Sequence, residues 1–256
     1  NPTPDGHWHW QVGEPFPISG VAGGTAVPSG STATVTGLES GIRDIYVTLV
    51  DGNHAVLDPP VGGMTTVRVA TSGLVFPDLN LELAVRAAVG VSHAQLTQEV
   101  LSPLHVLSVP SLGISDITGL ELASNLQSLN ISRNAISDLT PLSGLTNLDW
   151  LAVSHNPATD LSPLASLPQL RYLHAEGNGI SDISAVGSLP NLIDLYLWDN
   201  AVADLSPLLV ATSIDRLGLG SNQITDISPL SLLRSLRWLD LNANDISDVG
   251  PLGNLT

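Results

Sequence analysis

The stretch Leu126-Gln127-Ser128-Leu129-Asn130-Ile131-Ser132-Arg133-Asn134, continued by Ala135-Ile136-Ser137-Asp138-Leu139-Thr140-Pro141-Leu142, is one turn of a pattern that recurs every 22 residues. Asparagine returns at Asn134, Asn156, Asn178, Asn200, Asn222 and Asn244, and aspartate at Asp116, Asp138, Asp160, Asp182, Asp204, Asp226 and Asp248. Ahead of each Asn the template L-x-x-L-x-L repeats, as in Leu148-x-x-Leu151-x-Val153, Leu192-x-x-Leu195-x-Leu197 and Leu236-x-x-Leu239-x-Leu241. Chance does not keep two polar ladders and three apolar ladders in one register over so many turns.

A fixed period of this length with this template is the signature of a leucine-rich repeat solenoid. Each turn cannot bury its apolar face alone, and stacking the turns makes one continuous core. The template predicts a short strand per turn, with strands of neighbouring turns parallel and about 4.8 Å apart on the concave face. About ten residues remain for the return, with a proline in most turns. That excludes a long helix and predicts an extended path with a 3₁₀ turn on the convex face. Leu104-x-x-Leu107-x-Val109 is a degenerate first repeat, with Leu112 where the ladder Asn belongs.

Residues 75–103 precede the repeats and read as a helical cap. Pro77-Asp78 opens a helix with Asp78 at its start, and Gly90 closes it. Leu79, Leu81, Leu83, Ala84, Ala87 and Ala88 are predicted to form its apolar face, and a second short helix is predicted from Thr97 to Leu101. Terminal repeats expose an apolar end, so such a cap is expected. Residues 1–74 differ in composition and read as a small all-β module, possibly incomplete. Thr32–Val35, Ile45–Val50 and Val67–Ala70 are its strand candidates, with turns at Asp51-Gly52 and Pro59-Pro60. The repeats occupy 104–256. The chain opens at Asn1 without a leader pattern and ends mid-template at Leu255-Thr256, so a piece of a longer protein is expected.

A net charge of −16 disfavours nucleic acid and anionic membrane as partners, because both need a basic footprint. It favours a soluble monomer. There is no cysteine, which excludes disulfides and cysteine-based metal sites. No apolar run reaches the ~18 residues of a membrane span.

Seven stacked carboxylates could suggest a strip for cations, but each precedes an Ile, Leu or Val and then a Ser, Thr or Gly and can accept from backbone N–H groups at the turn. Turn capping is the reading taken. His7-Trp8-His9-Trp10 puts two histidines on one side of an extended strand, without a third ligand nearby in sequence. Ser154-His155 and Asp160 supply the residue types of a triad, yet no nucleophile, metalloprotease or phosphate-loop motif accompanies them. No enzyme, no cofactor and no metal site is therefore expected.

The variable places carry the functional signal. Strand alternation turns the third, fifth and seventh places of L-x-x-L-x-L-x-x-N outward on the concave sheet. The third-place column reads Ser128, Trp150, Tyr172, Asp194, Arg216, Trp238; the fifth Asn130, Ala152, His174, Tyr196, Gly218, Asp240; the seventh Ser132, Ser154, Glu176, Trp198, Gly220, Asn242. Five of the eight Trp and Tyr residues of the chain fall in these columns, where the template asks for no aromatic and where Ser128, Gly218 and Gly220 also occur. Clustered exposed aromatics mark a binding surface. Trp150, Tyr172, His174, Tyr196, Trp198, Arg216 and Trp238 are the candidate ligand-binding residues. Arg171, Asp194, Asp215, Arg216 and Arg237 are expected to form a polar rim.

The 22-residue period, the Asn-x-Ile-Ser-Asp-Ile/Leu-Ser/Thr-Pro-Leu consensus and the helical cap beginning Phe76-Pro77-Asp78 resemble the internalin family of bacterial leucine-rich repeat proteins. Ala185 in place of proline and Leu112 in place of asparagine depart from it, and residues 1–74 do not match an internalin start. Ser29–Leu38 is instead similar to β-sandwich modules of secreted bacterial proteins. The resemblance implies a bacterial, secreted or surface-attached binding protein. The outward columns point to recognition of a protein ligand on the concave face. Carbohydrate binding and a structural stalk are the alternatives.

Overall fold

The computed structural model describes strand segments at 7–12, 27–28, 41–50 and 62–69 at the level of the backbone, together with residues 76–91 and 96–255. The described chain divides into two compact units, one within Asn1–Leu74 and one formed by Val75–Val91 and Leu96–Thr256. In the first, β1 (His7–Val12), β2 (Val27–Pro28), β3 (Gly41–Val50) and β4 (Gly62–Val69) pair antiparallel in the order β2-β1-β3-β4. The predicted strands at Ile45–Val50 and Val67–Ala70 fall on β3 and β4, the latter ending at Val69. Thr32–Val35, the turns at Asp51-Gly52 and Pro59-Pro60, the Ser29–Leu38 motif and the side chains of His7-Trp8-His9-Trp10 lie outside the described residues.

The second unit opens with helix α1 (Leu79–Val89). Asp78 caps it, one carboxylate oxygen accepting from the N–H groups of Asn80 at 2.9 Å and Leu81 at 3.2 Å. The other oxygen accepts from the N–H of Ser115 at 2.8 Å, so one side chain ties the cap to the first repeat. Burial opposes ionisation of this carboxyl, but the N–H groups of Ser115, Leu81, Asn80 and Asp116 outweigh it and hold its pKa below the usual range. Gly90 closes the helix in the left-handed region at φ 72°, with Val91 N–H reaching back to the carbonyl of Arg86.

The buried stripe of α1 corrects the sequence reading. Leu81, Val85, Glu82 and Arg86 face inward, whereas Leu79, Leu83, Ala87 and Ala88 are exposed. The Arg86 guanidinium donates through Nε and Nη2 to one Glu82 oxygen at 3.0 and 2.8 Å. A paired Glu and Arg one turn apart can therefore occupy the inner face. Helix α2 (Gln98–Leu101) follows, capped by Thr97.

Seven strands then stack in strictly sequential order into one parallel sheet: β5 (Val106–Ser108), β6 (Ser128–Asn130), β7 (Trp150–Ala152), β8 (Tyr172–His174), β9 (Asp194–Tyr196), β10 (Arg216–Gly218) and β11 (Trp238–Asp240). The register advances by one repeat per strand, so Leu107, Leu129, Leu151, Leu173, Leu195, Leu217 and Leu239 form one inward column. Leu129 through Leu217 in that column are fully buried, each contributing about 1.5–3 kcal/mol of apolar burial. On β11 the same position, Leu239, is half-buried, with Leu236 and Leu241 beside it.

The returns are short 3₁₀ turns such as Thr140–Leu142, Ser162–Ser166 and Ser228–Leu232. The Asp ladder builds them. Asp138, Asp160, Asp182, Asp204 and Asp226 each accept from the backbone N–H two residues on at 2.8 Å, and Asp160, Asp204 and Asp226 also accept from a serine hydroxyl. The Asn ladder stitches turn to turn. Asn200 Oδ1 accepts from Ile180 N–H at 2.9 Å and Asn178 N–H at 3.1 Å, both in the preceding turn. Its amide donates to the carbonyls of Ala175 and Leu197 at 2.9 and 3.0 Å. The first turn lacks an Asn of its own, but Leu112 N–H is satisfied by Asn134 Oδ1 at 3.0 Å.

Just before each ladder position the backbone enters the left-handed region. Ser111, Arg133, His155, Gly177, Asp199, Ser221 and Ala243 all have φ between 52° and 66°. Gly177 alone in that column is free of the Cβ penalty.

Candidate functional site

The concave face is organised by side-chain length. Strand alternation aims three columns outward, but the long residues lie over the short ones. Ala152, Ser154, Gly218 and Gly220 are buried although they stand in outward columns. So is Asp194, 5% exposed, whose carboxylate lies between Tyr172 and Arg216 in the strand register. Asp194 is therefore not the rim residue that the column reading suggests. It is the buried counter-charge of Arg216, whose Nη1 is 3.3 Å away.

Five rings make one chain across the sheet. Trp150 and His174 have centroids 5.4 Å apart, His174 and Tyr196 4.7 Å, and Tyr196 and Trp198 4.8 Å. Trp238 completes it, standing nearly perpendicular to Tyr196 at 5.8 Å and to Trp198 at 5.6 Å. These are the spacings of favourable stacked and edge-to-face pairs. Tyr172 is not part of that chain. Its ring lies under the guanidinium carbon of Arg171, 5.3 Å from the centroid. The structure thus brings Trp150, His174, Tyr196, Trp198 and Trp238 together, with Arg216 beside the Tyr196 hydroxyl, and leaves Tyr172 outside the ring chain.

Trp198 is held from below. A Cβ placed on Gly218 would lie 2.6 Å from Trp198 Cζ2 and 3.0 Å from Tyr196 Cδ1; one on Gly220 would lie 2.8 Å from Trp198 Cδ1. The Nε1 edge of the indole therefore lies along the two glycines of the next repeat. Its N–H crosses that repeat and donates to Asp240 Oδ2 at 2.9 Å. The sequence reading missed Gly218, Gly220 and Asp240 as parts of the site. The available signal was two glycines in the same columns, one repeat after a tryptophan.

The charges follow the same one-repeat step. Arg171 pairs with Asp149, with Nη2 2.9 Å from Oδ2. Arg216 pairs with Asp194 at 3.3 Å, and Arg237 with Asp215 at 3.4 Å. The hydrogen bond and charge of Asp149 raise the pKa of Arg171; the charge of Asp194 and then the Tyr196 hydroxyl raise that of Arg216. His174, half-buried between two rings, is pushed below the ordinary histidine value by burial, against the charges of Glu176 and Asp194. Glu176 accepts a short hydrogen bond from Ser154 Oγ. Among the described residues no group of three or more His, Asp or Glu side chains is placed to hold a metal ion.

This geometry matches known solenoids. The descriptions "Leucine rich repeat" and "Leucine Rich repeats (2 copies)" match residues 124–180 and 168–210. Internalin C2 from Listeria monocytogenes is 36% identical, with 71% of this chain and 91% of that chain covered and a TM-score of 0.58. The chain belongs to the internalin family. A leucine-rich repeat protein of Leptospira interrogans is 28% identical over 61% of this chain and 43% of its own, with a TM-score of 0.54. No curated protein matches the chain.

Both departures of this internalin from the repeat consensus are absorbed locally. Ala185 replaces proline, yet Ser184–Ser188 still forms its 3₁₀ turn and Val186 still fills the core. Leu112 is simply exposed. Among the described residues no helix is long and apolar enough to cross a membrane.

Proposed function

We propose that the chain is a non-enzymatic recognition module that binds a protein ligand on its concave face, at a bacterial cell surface or after secretion. The observation that carries this reading is the five-ring chain from Trp150 to Trp238. Rings in outward columns remain only partly covered, and Trp238 is 41% exposed. Part of the aromatic area is already spent on Gly218 and Gly220, which fixes the rings before a partner arrives. Fixed rings lose less rotamer entropy on binding. Aromatic anchors of this kind supply most of the affinity in protein interfaces.

The same rings could stack on sugars, and carbohydrate binding is the second reading. An array test separates the two. Wild-type protein and the Tyr196→Ala/Trp238→Ala variant are compared on immobilised proteins and on glycans. The proposal expects protein ligands that the variant loses. Glycan ligands lost by the variant would favour the second reading. Retention of every ligand by the variant would leave the strip without a role, as expected of a stalk.

A further inference from the structure

We infer that the partner docking on this strip is a cationic segment that presents arginine side chains to Trp238 and to the carboxylates around Trp198. This rests on the concave-face reading above and names the chemistry of its partner.

From β8 to β11 the charges of the concave face are sorted by edge; Arg133, in the column of Asp199, stands three turns earlier. All eight basic residues of the chain are arginines. Arg171, Arg216 and Arg237 lie at the entry ends of their strands, and each is matched by a carboxylate of the preceding repeat. Those cations are compensated within the fold. The exit ends differ. Glu176 stands one repeat before Trp198 in the same column, Asp199 directly follows Trp198, and Asp240 accepts its indole N–H. Among the described residues no ion pair engages Glu176, Asp199 or Asp240. One carboxylate without a cation touches the Trp198 ring, and two more stand in its column and next to it in sequence. The N–H of Asn242, and then the Trp198 N–H, lower the pKa of Asp240 against burial.

The rings provide the second half of the argument. Trp238 stands edge-to-face on its neighbours, at 88° to Tyr196 and 79° to Trp198. An arginine on the free part of Trp238 would be within cation–π reach, about 6 Å. The overall charge of −16 draws such a segment in and repels an acidic one. A neutral glycan could use the rings but would leave the carboxylates uncompensated.

The test titrates the 256-residue chain with fluorescently labelled hexa-arginine, hexa-glutamate and a neutral cello-oligosaccharide, read by anisotropy. Three variants are compared: Trp238→Leu, Glu176→Gln with Asp199→Asn, and a convex control, Asp138→Asn with Asp182→Asn, which removes the same charge from the turns. The expected result is binding of hexa-arginine and not of hexa-glutamate. Trp238→Leu and the concave charge pair should each weaken it about fivefold or more, and the convex pair by less than about twofold. Equal weakening by the two charge pairs would show attraction by the whole field and overturn the inference. So would failure of hexa-arginine to bind. Oligosaccharide or hexa-glutamate binding that Trp238→Leu abolishes would overturn the cationic partner while leaving the concave site standing. If no probe binds in a way that Trp238→Leu alters, and Tyr196→Ala/Trp238→Ala also loses no ligand on the arrays, both readings fall.

Discussion

The indole N–H of Trp198 donates to the carboxylate of Asp240 at 2.9 Å, across 42 residues of sequence and two turns of the solenoid. Gly218 and Gly220 lie between them and leave the room for it. Gly218→Ala is expected to push the ring off its seat, because the new methyl would meet Cζ2 at 2.6 Å. The cost is on the order of 1–3 kcal/mol. A thermal melt and the near-ultraviolet circular dichroism of the tryptophans check this; an unchanged aromatic spectrum would show that Trp198 is not held as described.

Asn178→Ala should destabilise the solenoid by on the order of 1–3 kcal/mol. Its Oδ1 accepts from Asn156 N–H at 2.9 Å and its amide donates to the Val153 carbonyl at 3.1 Å, and the residue is buried. Both partners belong to the preceding turn, so the loss falls on the joint between turns. Denaturant melts decide, with an unchanged midpoint as the contrary result.

The left-handed column offers an opposite pair. Ala243 sits at φ 52° with a Cβ, and Ala243→Gly should relieve up to about 1 kcal/mol. Gly177→Ala should do the reverse and more, because its Cβ would meet His155 Nδ1 at 2.6 Å. Equal and small effects in denaturant melts would show that backbone strain is not what distinguishes the two.

His174 should titrate below the ordinary histidine value near 6.5. Its folded pKa is depressed by burial, so the fold favours the neutral ring. The associated stability is fully present above the unfolded pKa and is lost as pH falls through the folded one. Nitrogen-detected NMR of the imidazole follows this directly. Glu176→Gln should lower the value further, since that carboxylate raises it; an unchanged value would mean that the Glu176 charge does not act on the ring.

The 22-residue period made the solenoid legible because Asn and Asp perform local backbone tasks that recur in each turn. Leu129, Leu151 and their equivalents are buried as their places require. Four features were hidden for physical reasons. On α1, apolarity alone selects Leu79 and Leu83, while the buried stripe includes the Glu82–Arg86 pair, whose mutual neutralisation no hydropathy reading sees. In the outward columns, Gly218 and Gly220 look like positions with no demand on side chains, whereas their smallness is the demand made by Trp198. Asp194 reads as a surface charge until the register sets Arg216 beside it. The left-handed column was equally silent, since only Gly177 among its seven members advertises positive φ.

The central claim, that ligand sits on the ring chain, is tested most directly by hydroxyl-radical footprinting of the protein alone and with a bound protein ligand. The account predicts protection of Trp150, Tyr196, Trp198 and Trp238, with the convex prolines Pro163, Pro207 and Pro229 as reactive as before. Protection of those convex positions, or of Trp8 and Trp10, with the concave rings unchanged would contradict it.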